Sequence, residues 1–505
     1  MTLEGRLTEQ ARRLGDRVYL ESIDPPARLT FAELDAACHR AAQFLARRGL
    51  GPGDRVSILS DNGPAFVILF LGIQRAGAAA NPINVEAHAN NVRQILGDVA
   101  PRVIFRHQTV PPELATAAAD TGVETLVFDD EDLFDLLAPF PAAPVDRPHH
   151  RPADIAVIDY TSGTTARPKG VCISGSAFAA MGRAPAARFD FTPRDRVLEY
   201  RSLAWASPQL LGLAATLHAG ATLILARKFS HHRFFDWLQS HAVTISVGVP
   251  AVINMLLDRP VAVTARDVPA LRFITSSAAP LALQRQRDFE QRYGIPIVQG
   301  CGMTEAGFMA GNPPAATRAG SIGLPMPDLQ ARFVDDAGRT CPPGQEGELV
   351  VSGAQMASAY LAEGGRLEPI PGDSFPTGDL GYADGDGYLY LTGRKKDLII
   401  RGGVNIAPLE ITSALLAHPA VADAATIGVP DEVYGEAIAC FVVPRPGQSL
   451  TAAELLEHCR QRLSPFKLPG RVLVVAAIPK TAHGKLAADQ LRELWRTTGA
   501  AAFTA

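Results

Sequence analysis

The stretch Tyr160-Thr-Ser-Gly-Thr-Thr-Ala-Arg-Pro-Lys-Gly-Val171 gathers hydroxyls (Thr161, Ser162, Thr164, Thr165), glycines (Gly163, Gly170), Pro168 and two cations (Arg167, Lys169) within twelve residues. The residues before it, Asp154-Ile-Ala-Val-Ile-Asp159, are apolar and β-branched and predict a short strand. A strand running into such a loop suits a phosphate group. Glycine lets the backbone approach closely, hydroxyls and free N–H groups donate, and a lysine neutralises charge. A solvated turn is the plain alternative, and it needs far fewer of these features together. The loop is not a P-loop, because that motif requires Gly-Lys-Ser/Thr, whereas Pro168 precedes and Gly170 follows Lys169.

Five further segments carry chemistry-bearing residues in order along the chain. They are Ser276-Ser-Ala-Ala-Pro-Leu281, Gln299-Gly-Cys-Gly-Met-Thr-Glu305, Thr377-Gly-Asp-Leu380, Gly393-Arg-Lys-Lys-Asp-Leu-Ile-Ile-Arg-Gly-Gly403 and Pro479-Lys-Thr-Ala-His-Gly-Lys-Leu486. With the hydroxyl-rich loop, these segments resemble the ordered motifs of the adenylate-forming superfamily, which includes acyl-CoA synthetases, non-ribosomal adenylation domains and beetle luciferases. The similarity spans nearly the whole chain and is closest to an AMP-forming acyl-CoA ligase. Two departures stand out. Ala166 replaces a glycine usual in the family, and Cys301 replaces a tyrosine that stacks near adenine, which reduces stacking area and widens the site. Cys301 itself reads as a small buried hydrophobe rather than a nucleophile.

The resemblance implies a two-step reaction using ATP, Mg²⁺ and CoA. A carboxylate attacks the α-phosphorus of ATP, pyrophosphate leaves, and a thiol then displaces AMP from the acyl-adenylate. Transfers of this kind rest on positioning and charge neutralisation rather than on a protein nucleophile. By the same resemblance Lys485 bridges the substrate carboxylate and α-phosphate, Thr304 contacts the α-phosphate, and Glu305, with Thr161, holds Mg²⁺. Thr161, Ser162, Gly163, Thr164, Thr165 and Lys169 would hold the outer phosphates. Ala278, Ala279, Pro280, Gly300, Cys301 and Gly302 would line the nucleotide site, and Asp379 and Arg394 would take the ribose. For an isolated Asp379 a turn cap is an equally good reading, and for an isolated Lys485 a solvated tail is a better one; the surrounding motifs decide both.

The resemblance also implies that a C-terminal domain rotates about Lys396 between the two half-reactions. Lys485 would then leave the site, and Gly402 and Gly403 would open a passage for pantetheine, with Tyr434 beside it. The acyl pocket maps to Trp205, Ser207, Gln209, Val249 and Ser277, with Gln209 near a position where relatives carry histidine. The segment Leu203–Gly212 has no acid to hold an ammonium group, which argues against an α-amino acid. Arg201 reads as half of a structural salt bridge ahead of a partner for a second substrate carboxylate. A carrier-protein phosphopantetheine is the alternative acceptor to CoA, and a ligand-binding homologue without activity is the third reading. The catalytic set Lys485, Glu305, Asp379 and Arg394 speaks against the last of these.

These residues need a scaffold, and 505 residues exceed what one core usually organises. Hydrophobic residues at 47% and charged residues at 20% describe a packed globular chain, and a net charge of −4 gives no electrostatic case for nucleic acid. Six cysteines without a paired spacing fit reduced thiols and, with a charged N-terminus, a cytoplasmic protein without a membrane span. Phe31–Arg48 and Asn62–Gly77 predict helices; Arg55–Ser60, Arg102–Arg106 and Thr125–Phe128 predict strands. This alternation implies an α/β fold with helix-covered, largely parallel sheets. A proline-rich stretch, Ala138–Pro152, leads to the phosphate loop. From about residue 321 to 392 the pattern turns to strands and Asp-Gly turns, suggesting a β-rich subdomain. Domains are therefore expected at 1–394 (nucleotide- and acyl-binding) and 395–505 (a small, mobile α+β domain whose hinge is Lys396). Its expected elements are Leu409–Leu416, Ala424–Val429, Ile438–Val443 and Ala452–Leu463.

Overall fold

In the computed structural model, residues 1–146, 151–161, 168–370, 374–480 and 486–499 are described. The expected helix–strand alternation builds two large sheets. One has eight strands in the order Leu367–Pro369, Ala359–Leu361, Lys169–Ser174, Ile155–Thr161, Ala79–Ile83, Arg55–Leu59, Val103–His107 and Thr125–Phe128. Its last five strands run parallel, and the first three are added antiparallel. The other has nine strands, with parallel pairing from Val18–Ile23 through Thr222–Leu225, Arg196–Glu199, Ile245–Ser246 and Phe273–Ser276 to Ile297–Met303.

Helix Pro64–Arg75 is buried from Pro64 to Gln74, and Phe66, Phe70 and Phe178 meet in the largest apolar cluster. A helix apolar on every side must lie within a core. Its Gly72 is a close-approach site: a Cβ there would stand 2.5 Å from Ala41 Cβ on helix Phe31–Arg47. The helix begins later than Asn62 because Gly63 caps it and Pro64, whose φ is preset, takes the first turn. Helix Phe31–Arg47 starts at a reciprocal capping box, Thr30 with Glu33, legible in the sequence as Thr-x-x-Glu.

Two expectations around the hydroxyl-rich loop are corrected. The strand extends to Thr161 instead of ending at Asp159, and Lys169-Gly170-Val171 belongs to a strand instead of the loop. Antiparallel pairing explains both, with Tyr160 opposite Gly170 and Thr161 opposite Lys169. The loop's two ends are thus clamped by a ladder.

Past Ser321 a four-stranded antiparallel sheet forms from Leu329–Val334, Gly347–Gly353, Phe375–Ala383 and Leu389–Arg394. A smaller body follows: strands Ile399–Arg401, Val404–Ile406, Val421–Asp431, Gly435–Pro444 and Arg471–Val474, with helices Pro408–Leu416 and Ala452–Arg460. Two apolar clusters draw only on residues from Ile399 to Trp495. Among the described residues, no helix is long and apolar enough to cross a membrane.

Candidate active site

Asp379 and Arg394 face each other across adjacent strands, and Arg394 Nε lies 2.7 Å from Asp379 Oδ1. Asp379 is 3% exposed. Burial raises its carboxyl above the usual range, and Arg394, then Lys396, pull it back. Thr377 Oγ1 accepts from the Asp379 N–H and donates to the Leu349 carbonyl, fixing the turn. Gly378 there has φ +76°, the left-handed region that favours glycine. Thr377, Gly378, Arg394, Lys395 and Lys396 line a cleft of about 350 Å³. Three cations in a row at its rim suit an anionic ligand, and Glu348, with one oxygen on the Gly378 N–H and one on Lys395 Nζ, anchors that rim.

Thr304 and Glu305 form the tight turn between strands Ile297–Met303 and Gly307–Gly311. Gly300 is buried, Cys301 half-buried and Gly302 exposed on the first of these strands. Gly302 sits at a register shift where a Cβ would lie 2.5 Å from the Gly307 carbonyl oxygen, so no side chain fits. The Glu305 carboxylate accepts from Tyr360 Oη at 3.0 Å, and Lys169 Nζ stands 5.6 Å from the centroid of the Tyr360 ring. Glu305, Lys169 and, through its ladder partner, Thr161 are therefore gathered around Tyr360. Ser162, Gly163, Thr164, Thr165 and Lys485 lie outside the described residues, as does Ala166. Ala278, in the left-handed region at φ +71°, and Ala279 and Pro280 follow the end of strand Phe273–Ser276. Ala278 and Pro280 are exposed.

The residues assigned to an acyl pocket separate into two groups. Gln209 is wholly buried and donates through Nε2 to Asp159 Oδ1 at 3.0 Å. It ties the strand leading to the hydroxyl-rich loop to the helical segment Gln209–Ala214, so it packs as a core residue. Ser207 Oγ accepts from Arg201, whose guanidinium also forks onto Glu199 at 2.9 and 2.7 Å. With Glu199 0% and Arg201 6% exposed, the pair is structural and leaves no guanidinium for a substrate. Trp205 is half-buried just before helix Ala206–Pro208, and Val249 just before helix Pro250–Asp258. Ser277 donates its N–H to the Gly248 carbonyl. The buried hydroxyls of Tyr200, Ser276 and Ser277 have no partner among the described residues. Tyr200 Oη lies 3.6 Å from where a Gly248 Cβ would stand, beside the Ser277 backbone.

In the smaller body, Gly402 and Gly403 turn the hairpin between Ile399–Arg401 and Val404–Ile406 at φ +57° and +80°. The Gly402 N–H donates to the Tyr434 carbonyl at 2.8 Å, and Arg401 covers the half-exposed Tyr434 ring at 4.8 Å. The two glycines and Tyr434 thus share one exposed face.

Comparison with known proteins decides the family. The AMP-binding enzyme model matches residues 7–361, and the AMP-binding enzyme C-terminal domain matches residues 410–485. The chain belongs to the AMP-binding enzymes. It is an acid–thiol ligase of the adenylate-forming superfamily. It is 35% identical to the sulfoacetate–CoA ligase of Cupriavidus necator over 96% of both chains. It is 34% identical to the oxalate–CoA ligase of Arabidopsis thaliana, over 96% of this chain and 97% of that one. The fold matches ATP-bound MatB from Rhodopseudomonas palustris with a TM-score of 0.89 and 29% identity, over 98% of this chain and 99% of that one.

Sequence motifs gave no signal for Asp159, Tyr360 or Glu348, because each acts through a neighbour that only the fold supplies. Asp159 allows a direct check. Burial pushes its carboxyl up to about 7, partly offset by Gln209. Asp159 Oδ2 and Gln209 Oε1 both lack partners, the arrangement a protonated acid facing an amide would satisfy. A folded-state value above the unfolded one contributes stability below the ordinary carboxylate range, and that contribution is lost as pH rises through about 7. Asp159→Asn supplies the missing donor at every pH. Its stability relative to the parent should therefore improve by a few kcal/mol between about pH 5 and pH 8, read by urea denaturation. An unchanged difference across that range would show that Asp159 is an ordinary carboxylate.

Proposed function

We propose that this ligase activates a non-amino carboxylic acid with ATP and transfers the acyl group to CoA. The observation that carries the reading is the pairing of Asp379 with Arg394 above a basic cleft, in a chain that matches both parts of the AMP-binding enzymes. Asp379, shielded from water, accepts the ribose hydroxyls, and Arg394 opposes the effect of burial by favouring its charged form. Lys169 and the hydroxyl-rich loop neutralise the outer phosphates, and Thr304 donates to the α-phosphate. Glu305 and Thr161 would hold Mg²⁺, which when bound would supply positive charge beside the pyrophosphate oxygens. A single carboxylate suits this ion, because Mg²⁺ takes most of its remaining ligands from phosphate and water. Lys485 draws the acid's carboxylate and the α-phosphate together, the carboxylate oxygen forms a bond to phosphorus, and the bond to pyrophosphate breaks. The CoA thiol then attacks the acyl carbon, and AMP leaves with the oxygen that the acid contributed.

The domains divide at Lys396, residues 1–394 binding nucleotide and acid and residues 395–505 rotating about the hinge. Rotation withdraws Lys485 and brings up the Gly402–Gly403 hairpin, whose missing side chains admit the pantetheine arm beside Tyr434. CoA is favoured over a carrier protein because the sulfoacetate and oxalate relatives, at 35% and 34% identity, are CoA ligases. The same relatives act on short, oxygen-rich acids, and the unpartnered hydroxyls of Tyr200, Ser276 and Ser277 suit a substrate with acceptor oxygens.

Pyrophosphate release from Mg-ATP across aliphatic, aromatic, hydroxy- and dicarboxylic acids should be CoA-dependent and fastest with short oxygen-rich acids. Release that ignores CoA would move the acceptor to a carrier protein, and silence on every acid would remove the activity. Lys485→Ala should lose adenylate formation by a factor of a hundred or more, as removal of a transition-state charge partner does. The variant should still convert a supplied acyl-adenylate to thioester; equal loss of both half-reactions would refute this division of labour.

A further inference from the structure

Tyr360 lies on the short strand Ala359–Leu361, opposite Val171 of the strand that leaves the phosphate loop. It lies where the strand after the hydroxyl-rich loop meets the turn that carries Glu305. Its hydroxyl donates to Glu305 Oε1 at 3.0 Å, and its ring receives Lys169 Nζ at 5.6 Å. The backbone around it stitches the same parts together. The Ala357 N–H donates to the Glu305 carbonyl at 2.8 Å, and the Ser358 N–H donates to the Cys172 carbonyl at 2.9 Å. Gly170 leaves room for this packing, since a Cβ there would lie 3.0 Å from both Leu361 Cβ and Tyr160 Cζ.

We propose that Tyr360 is a positioning residue for the metal–phosphate centre, fixing the Glu305 carboxylate through its hydroxyl and the Lys169 ammonium through its ring. The inference rests on the reading of Glu305 as the Mg²⁺ carboxylate. A glutamate on a tight turn has three rotatable bonds, and a metal ion shared with phosphate oxygens tolerates little misplacement. A phenol donating to one carboxylate oxygen sets the carboxylate's rotation and leaves the other oxygen for the ion. A phenol keeps its proton through the neutral range, so the hydroxyl stays a donor there. The ring face attracts the lysine ammonium and keeps it on the phosphate side of the strand ladder. Among the described residues no cluster of three or more His, Cys, Asp or Glu could build a metal site without phosphate. Glu305 would supply the carboxylate, and Thr161 the hydroxyl, that a bound Mg²⁺ takes from the protein.

The two halves of the role separate by substitution. Tyr360→Phe keeps the ring and removes the hydroxyl; Tyr360→Leu removes both. The test is calorimetric titration of each full-length variant with a non-hydrolysable ATP analogue, with and without Mg²⁺, beside thermal unfolding without ligand. Tyr360→Phe should bind the metal-free analogue as the parent does and unfold at the same temperature. It should lose about tenfold of the affinity that Mg²⁺ adds, the usual effect of removing a hydrogen bond to a charged group. Tyr360→Leu should also weaken the metal-free complex, because Lys169 loses its platform. Retention of the full Mg²⁺ gain by Tyr360→Phe would overturn the proposal. So would a loss shared equally by metal-free and metal-bound complexes together with a lowered unfolding temperature, which is the mark of a merely structural tyrosine. The titration uses no acid, so its outcome is independent of whether the parent releases pyrophosphate with any carboxylate.

Discussion

The organisation of this enzyme depends on a carboxylate kept out of water on an inner strand of a four-stranded sheet, next to the edge strand that carries its partner. Burying Asp379 without a partner would be costly, and the protein offsets that cost with Arg394, held opposite by strand register rather than by a flexible loop. The arginine side chain is still 45% exposed. One end of the pair thus belongs to the packed interior, and the other opens on the cleft. The chain then leaves the sheet at once through Lys395 and Lys396 into the smaller body. A ligand that engages Asp379 therefore touches the last fixed point before the proposed pivot, which is where binding could bias a rotation.

The same economy recurs at the strands that flank the hydroxyl-rich loop. A β-ladder joins the residues at both ends of the hydroxyl-rich loop, and Asp159 near the loop end of the first strand is pinned by Gln209 from the helical segment behind it. The neighbouring Arg201–Glu199 pair, almost completely buried, is satisfied internally. Polar groups that could have bound substrate are committed to holding the walls. The hydroxyls of Tyr200, Ser276 and Ser277 are left as uncommitted polar groups beside the strand ends. Were the acid bound beside them, as proposed, hydrogen-bond geometry more than charge would select it, since an unsatisfied buried hydroxyl penalises any acid that cannot meet it.

Much of this was legible in the sequence because the responsible signals are local. The alternation of Phe31–Arg48, Arg55–Ser60 and Asn62–Gly77 carries helix and strand periods that survive folding, with boundary errors where Gly63–Pro64 delays a helix start. Asp379 and Arg394 were readable as two ribose contacts because Thr377-Gly-Asp-Leu380 and the segment starting at Gly393-Arg394 resemble motifs of the adenylate-forming superfamily. Long-range contacts were not readable. Tyr360 lies in an unremarkable apolar strand, and its importance comes from Glu305, fifty-five residues away in the chain. Gln209 looked like a pocket residue because its neighbours fit that segment. Yet Asp159, from another sheet strand, draws it inward. No periodicity or spacing encodes such a pairing; only the packing of two layers does.

The central claim is that the acid's own oxygen ends on AMP. The most direct measurement uses a turned-over carboxylic acid labelled with ¹⁸O in both carboxyl oxygens, with mass spectrometry of the products after reaction with Mg-ATP and CoA. The account predicts one labelled oxygen in AMP for each thioester formed and none in pyrophosphate. Label appearing in inorganic phosphate, with ADP in place of AMP, would contradict it and require an acyl-phosphate route.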